Sequence, residues 1–224
     1  MSAVCDTIIR ISPKRAEVFV EQEQDGIISR KSIAPDTLAQ CFLSSRYDDE
    51  HYCTGLLPDE CIAVTKTSKC IYYFIRYPEL YADFTYYDTE YTGFPIPRLV
   101  FAFKYLPNDK KVAQSSVCVV KDERLTMETP LFHYPFSNVN FKGDICLGNN
   151  ALPNYRNPAR LHTLASYILR IPNNNDHYST SNNKLHLEYR DLLEQMKNKD
   201  PSTYYSDVLV GTSKTLGNFI NDRR

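Results

Sequence analysis

Hydrophobic residues in the first 134 positions fall into short runs of Ile, Val, Leu, Tyr and Phe, separated by polar or turn-forming residues. Runs of this length and composition are typical of β-strands. The predicted strands are Thr7–Ile11, Glu17–Glu21, Cys61–Lys66, Lys69–Tyr77, Arg98–Tyr105, Lys111–Lys121 and Thr129–Tyr134. The third and fourth runs are expected to form a hairpin, and the last three an antiparallel meander.

Apolar residues at helical spacing predict three helices. The first lies within residues 32–43, where a Pro-Asp pair precedes the apolar positions. The other two, Asn157–Leu169 and Leu185–Lys197, occupy the last third of the chain, and the polar loop Asn173–Asn183 separates them. Because a β-meander precedes the helices, the order of elements predicts an α+β fold.

The length of 224 residues fits one large domain with an extension. We expect an N-terminal extension of short strands and a helix over residues 1–60, and the main domain over residues 61–224. Within the main domain, Tyr81–Tyr91 combines tyrosines with acidic residues and is expected to be a partly exposed irregular segment. A surface that stacks nucleic-acid bases needs a basic groove beside its aromatic rings, so this acidic stretch does not fit one.

Charge and hydropathy narrow the classes of partner. The chain has 26 basic and 27 acidic residues and a net charge of -1, which argues against nucleic acid or an anionic membrane as the main partner. No apolar window is long enough for a membrane span, and the first residues lack the pattern of a signal peptide. We therefore expect a cytoplasmic protein whose cysteines are reduced.

Seven cysteines are present, and none forms a Cys-x-x-Cys pair. Zinc ligands usually come in pairs two to four residues apart, so the wide spacing of Cys53, Cys61 and Cys70 near His51 is a poor fit. We therefore expect no bound metal. Cys61, Cys70 and Cys118 lie in apolar strand-like runs and are expected to be small buried side chains.

Cys146 differs from these cysteines because it lies in a segment with polar neighbours, between Gly143 and Gly148. A thiol outside regular structure is a better candidate for a reactive group than one in a strand, and nearby glycine allows a bulky partner to approach. One chemistry open to it is that of a cysteine hydrolase, with His133 as the nearest base. Such enzymes usually take their base from a distant part of the sequence, so His162 and His177 compete with His133 for this role.

The residues around Cys146 also form a motif. Phe136-Ser-Asn-Val139 precedes Gly143-Asp-Ile-Cys-Leu147, and Asn138 lies eight residues before Cys146. This arrangement resembles ubiquitin-conjugating enzymes, in which His-Pro-Asn-Val or His-Pro-Asn-Ile is followed at this spacing by Gly-x-Ile-Cys-Leu. Pro158-Ala159 opens a helix a dozen residues after the cysteine, as in that family.

Four positions depart from the pattern of that family. Phe136 stands in place of its His, Ser137 in place of its Pro, and Gly148 in place of the Asp that often follows Cys-Leu. Tyr155 lies near the place of its Trp. With these departures the chain resembles the bacterial branch, prokaryotic family D, which includes the conjugating-enzyme-like protein B of PRTRC-type gene systems.

The resemblance implies a ubiquitin-conjugating-enzyme-like fold and a transferase that needs no metal or organic cofactor. Cys146 would accept a ubiquitin-like protein as a thioester from a ThiF-type activating enzyme and pass it to an amine. Asn138 would stabilise the oxyanion of that second step. Asp144 is expected to help orient the amine, and His133 is a further supporting candidate. A JAB-type metallopeptidase is an expected additional partner.

Two other functions stay open at this point. The same fold serves as a binding module in inactive variants, and the replaced His-Pro pair is compatible with such a role. Retention of both Cys146 and Asn138 argues against it. The cysteine hydrolase described above is the other alternative. The sequence identifies neither the modifier nor its acceptor.

Overall fold

The computed structural model describes residues 7–12, 17–24, 26–45 and 55–223. The chain divides into two compact units, Met1–Thr54 and Gly55–Arg224. The assignment of residues 1–60 as an extension to a main domain at residues 61–224 stays a prediction.

The N-terminal unit is a three-stranded antiparallel sheet followed by a helix. Its strands β1 (Thr7–Ser12), β2 (Glu17–Gln24) and β3 (Ile27–Ile33) lie in that order, and helix α1 covers Pro35–Ser45. The first two strands and the helix confirm the sequence prediction. The third strand was missed because exposed polar residues interrupt its isoleucines, so that no apolar run signals it.

The second unit is built on a six-stranded antiparallel sheet. Its strands in chain order are β4 (Cys61–Lys66), β5 (Ile71–Tyr77), β6 (Leu80–Tyr86), β7 (Thr89–Ile96), β8 (Leu99–Leu106), β9 (Lys111–Val120), β10 (Pro130–Phe132) and β11 (Gly211–Thr215). The sheet has the spatial order β4-β5-β8-β9-β10-β11, and β6 and β7 form a separate two-stranded hairpin. The predicted antiparallel meander is therefore confirmed, with a hairpin inserted after β5.

The hairpin corrects the expectation that Tyr81–Tyr91 is irregular. This segment forms most of β6, the turn and the start of β7, with Tyr87 at the turn in the left-handed region at φ 48°. The prediction was wrong because buried and exposed residues alternate along this segment, as in a strand. Phe84 and Tyr86 are buried, whereas the neighbouring Asp83 is exposed.

The helices of the second unit are short. A 3-10 turn at Pro158–Arg160 leads into α2 (His162–Leu169), and α3 covers Tyr189–Met196. Both helices confirm the prediction, although each begins later than the sequence pattern indicates. A π-helical turn at Tyr204–Val208 precedes β11, and α4 (Leu216–Asn221) comes after β11.

The central sheet is covered on both faces. On one face, Leu99, Phe101 and Phe103 of β8 belong to a core that includes residues of α2 and α3. On the other face, Val100 and Ala102 pack in a cluster with α4. This double burial explains why β8 is apolar at successive positions rather than at alternate ones.

Two of the three cysteines expected in strands lie in this second cluster. Cys70 and Cys118 are buried, as predicted, whereas Cys61 is only partly buried. Among the residues that the structure describes, no helix has the length and apolar character required to cross a bilayer.

Candidate active site

Cys146 lies in the long connection between β10 and α2, and the segment before it runs along β9. The Val117 amide donates to the carbonyl of Gly143 at 2.8 Å, and the Ile145 amide donates to the carbonyl of Ser115 at 2.9 Å. Because β9 is a central strand, these two bonds attach the segment to the most buried part of the sheet. The cysteine itself is exposed.

The structure brings Asn138 next to Cys146. The Cys146 amide donates to the Asn138 carbonyl at 2.7 Å, and Val139 pairs with Ile145 inside the loop that this bond closes. Asn138 has a φ of 62°, in the left-handed region that asparagine tolerates better than most residues. Its side-chain amide donates only a long 3.4 Å bond to the Pro172 carbonyl.

A small cavity opens between this loop and α2. Its lining includes Asn138, Cys146 and Tyr134, together with apolar side chains of the loop and the end of α2. None of the described residues that line it is a histidine. The site therefore presents a thiol and a neutral amide, without an imidazole base in the same cavity.

Phe136 and Ser137, which differ from the conjugating-enzyme pattern, anchor the loop. The Phe136 ring is 1% exposed and packs against the rings of Phe84 and Tyr204, at centroid distances of 5.3 and 5.8 Å. The hydroxyl of Ser137, also buried, donates to Oδ1 of Asn173 at 3.1 Å. Core packing and one buried hydrogen bond thus fix the segment that leads to Asn138.

Asp144 uses its side chain to hold the loop on β9. Its Oδ1 accepts from Nε2 of Gln114 at 2.9 Å and from Oγ of Ser116 at 2.8 Å. The Asn140 side chain accepts from the amide of Asp144 at 3.0 Å, which closes a tight turn. These contacts serve the shape of the loop, and the expected role of Asp144 toward an amine stays a prediction.

His133 faces a different cavity. It lies directly after β10, where its amide donates to the Val210 carbonyl at 2.9 Å, and it lines a cavity of about 560 Å³ together with His177. Cys146 is not among the residues that line this cavity. His162, the remaining candidate base, lies at the start of α2, where Nδ1 is 3.8 Å from the Asp59 carboxylate. The supporting role of His133 stays a prediction.

The other cysteines offer no metal site among the described residues, which contain no cluster of three or more potential ligands. His51 and Cys53, which lie near Cys61 in the sequence, are outside the described residues. Burial raises the pKa of the Cys118 thiol above its ordinary value. The less buried Cys61 also has a raised pKa, for the same reason. Both environments favour the neutral thiol, so neither residue resembles a reactive cysteine.

Three residues that position the site were missed in the sequence. Asn173 accepts from Ser137, the Asp176 carbonyl accepts from the Asn138 amide at 2.7 Å, and Arg223 contacts the loop from just beyond α4. All three lie at least 36 residues from the loop residues they contact. No local pattern signals them, since they come from a polar loop and the end of a short helix.

The chain matches a known protein family. The model of prokaryotic E2 family D matches residues 40–212, which is more than half of the chain and includes the whole loop around Cys146. Searches among curated proteins and among solved structures find no significant match.

Proposed function

Because this chain belongs to prokaryotic E2 family D, as its motif around Cys146 predicts, we propose that it is a ubiquitin-conjugating-enzyme-like transferase. Its partners would be a ubiquitin-like protein and a ThiF-type activating enzyme. A JAB-type peptidase would mature or remove the modifier, as in a PRTRC-type system. The observation that carries the proposal is the backbone pairing of Asn138 with an exposed Cys146.

In the first step, the Cys146 thiolate attacks the thioester carbonyl that joins the ubiquitin-like protein to the activating enzyme. A new C–S bond forms at Cys146, the old C–S bond breaks, and the cysteine of the activating enzyme leaves as a thiolate. A thiol suits this exchange because it is both a strong nucleophile and a good leaving group. The exposure of Cys146 gives a second protein access to it.

In the second step, an amine attacks the thioester on Cys146. The C–N bond forms, the C–S bond breaks, the Cys146 thiolate leaves, and the amine releases one proton to the solvent. Negative charge develops on the carbonyl oxygen, and the Asn138 amide is the donor that stabilises it. The long bond from this amide to Pro172 is weak enough to break when the side chain turns toward the oxyanion.

The proposal is tested by mixing the protein with the activating enzyme, the ubiquitin-like protein and ATP. A product that contains the modifier and disappears with a reducing agent is expected. Cys146→Ala abolishes it, and Cys146→Ser replaces it with an oxyester that survives reduction. Cys41→Ala, at another exposed cysteine, serves as the matched control and keeps the product.

The same experiment separates the alternatives. Absence of any reducible product with the active partners would exclude the transferase and leave the binding module. Cleavage of a ubiquitin-like fusion by the isolated protein, without ATP or partners, would instead identify a cysteine hydrolase. The absence of a histidine from the described lining of the Cys146 cavity supports the transferase over the hydrolase.

A further inference from the structure

Arg223, two residues beyond the end of α4, lies nine-tenths buried against the loop that carries Cys146. Its Nη1 donates to the Phe219 carbonyl at 3.0 Å, and its Nη2 donates to the Lys142 carbonyl at 2.8 Å. The same Nη2 lies 3.6 Å from Oδ1 of Asp144. One guanidinium therefore joins the last helix to two residues of the loop.

The surroundings of Arg223 restrict its movement. The guanidinium carbon lies 3.9 Å from the centroid of the Phe219 ring, so the group is stacked on one side. Burial lowers the pKa of Arg223, and the Asp144 carboxylate opposes that effect. A cation in such a site requires its partners, because an unpaired buried charge is costly.

The loop also fits closely between β9 and α4. A side chain added at Gly143 would place its Cβ 2.7 Å from the Val117 carbonyl oxygen and 3.5 Å from Nη2 of Arg223. Asp144 is held at the same time by Gln114 and Ser116 of β9. The loop is thus bonded to the sheet on one side and to Arg223 on the other.

We propose that Arg223 is a positioning residue that holds residues 142–144 in place and thereby sets the position of the Cys146 thiol. The inference rests on the proposed function for its catalytic consequence. Asp144 belongs to the same hydrogen-bonded group, because it links the guanidinium to β9. Cys146 lies only two residues beyond Asp144, so a shift of this anchor moves the thiol.

Loss of Arg223 is expected to misalign the Cys146 sulfur with the thioester carbonyl, while the reactive groups themselves are kept. Thioester exchange needs the sulfur close to the carbonyl carbon and in line with it, and small displacements reduce the rate strongly. Removal of Arg223 keeps the reactive groups, the Cys146 thiol and the Asn138 amide, but frees the segment that positions the thiol. We expect kcat for thioester formation to fall about ten-fold, with little change in KM for the loaded activating enzyme.

The first test needs no partner protein. Arg223→Gln is compared with the wild type and with Arg124→Gln, an exposed arginine of the same unit. Hydrogen exchange of residues 140–147 is expected to accelerate at least ten-fold in Arg223→Gln, while the centre of β5 exchanges at the wild-type rate. A merely structural role would accelerate exchange in both places, because it would lower global stability.

Two further variants keep the test decisive. Arg223→Lys retains the charge but cannot make both hydrogen bonds, so it is expected to show an intermediate exchange rate even if Arg223→Gln does not fold. In the double variant Asp144→Asn, Arg223→Gln, residues 140–147 are expected to exchange little faster than in either single variant, because the two side chains belong to one hydrogen-bonded group.

Unchanged exchange at 140–147 in a folded Arg223→Gln or Arg223→Lys overturns the positioning role. Failure of the wild type to form a thioester instead rejects the proposed function and leaves the exchange result standing.

Discussion

The backbone amide of Cys146 donates a 2.7 Å hydrogen bond to the carbonyl oxygen of Asn138. The eight-residue spacing in the sequence therefore corresponds to a backbone pairing, because the two residues face each other across a closed loop. Main-chain atoms make this bond, so it does not depend on the Asn138 side chain, whose amide donates to the Pro172 carbonyl instead. We therefore expect a change of that side chain to leave the bond to Cys146 intact.

This separation predicts different outcomes for two substitutions of Asn138. Asn138→Gly keeps the backbone conformation at φ 62° but lacks the amide, so discharge onto free lysine is expected to slow by about 10²–10³-fold, while loading of Cys146 is unchanged. Asn138→Ala loses the same donor and is also less stable by about 1 kcal/mol, because alanine is strained in the left-handed region. Single-turnover discharge and urea unfolding measure the two effects. Discharge at the wild-type rate in Asn138→Gly would remove the amide from the mechanism.

Gly143 is predicted to be the less replaceable of the two glycines that flank the cysteine. It has a φ of 83°, and an added Cβ would lie 2.7 Å from the Val117 carbonyl oxygen. Gly148 has a φ of 54° with nothing within 4 Å of an added Cβ. Gly143→Ala is expected to lower the free energy of unfolding by about 1–3 kcal/mol, and Gly148→Ala by about 1 kcal/mol. Urea unfolding checks this order, and equal midpoints for the two variants would contradict it.

Tyr205 predicts a loss of stability in alkaline solution. Desolvation and the 2.7 Å hydrogen bond from its hydroxyl to Glu79 raise its pKa to about 12. An unfolded tyrosine has a pKa of about 10, so the folded state holds this proton more strongly. Its contribution to stability is therefore complete below pH 10 and is lost as the pH rises from about 10 to 12.

The measurement for this prediction is urea unfolding of wild type and Tyr205→Phe between pH 8 and pH 11.5. The variant is expected to be less stable at pH 8 and to lose less stability than the wild type above pH 10. Tyr87→Phe, at an exposed tyrosine, provides the control and is expected to follow the wild type. Parallel curves for Tyr205→Phe and wild type would show that ionisation of Tyr205 is not linked to folding.

The success of sequence-based prediction depended on how each element is buried. Strand β8, predicted as Arg98–Tyr105 and observed at Leu99–Leu106, was recognised because a strand covered on both faces must be apolar along its whole length. Gly211–Thr215 was missed because it is a mostly exposed edge strand, defined by pairing with β10 rather than by its own composition. Helix α4 was missed for a related reason, since six residues are too few to establish a helical period.

The residues of the candidate site also differ in whether the sequence signals them. Asn138 and Cys146 were identified because the motif is local and its spacing corresponds to a backbone register. Arg223 was not identified, because it reaches the loop from 81 residues away and nothing in the sequence pairs it with Lys142. Asp144 was noted for its nearness to the cysteine in the sequence, and its predicted role toward an amine stays a prediction, whereas its hydrogen bonds to β9 are visible only in three dimensions.

Restoring the histidine of the conjugating-enzyme motif at Phe136 is predicted to harm this protein. The Phe136 ring is 1% exposed among aromatic rings, so a histidine there buries polar nitrogens in an apolar site. Phe136→His is expected to lower the free energy of unfolding by about 1–3 kcal/mol and to give no gain in discharge rate. Phe136→Leu, which changes volume without adding polarity, is the control and is expected to unfold at a higher urea concentration than the histidine variant. A histidine variant as stable as the leucine variant would show that the site accommodates a polar ring, and that core packing is not the reason for phenylalanine at this position.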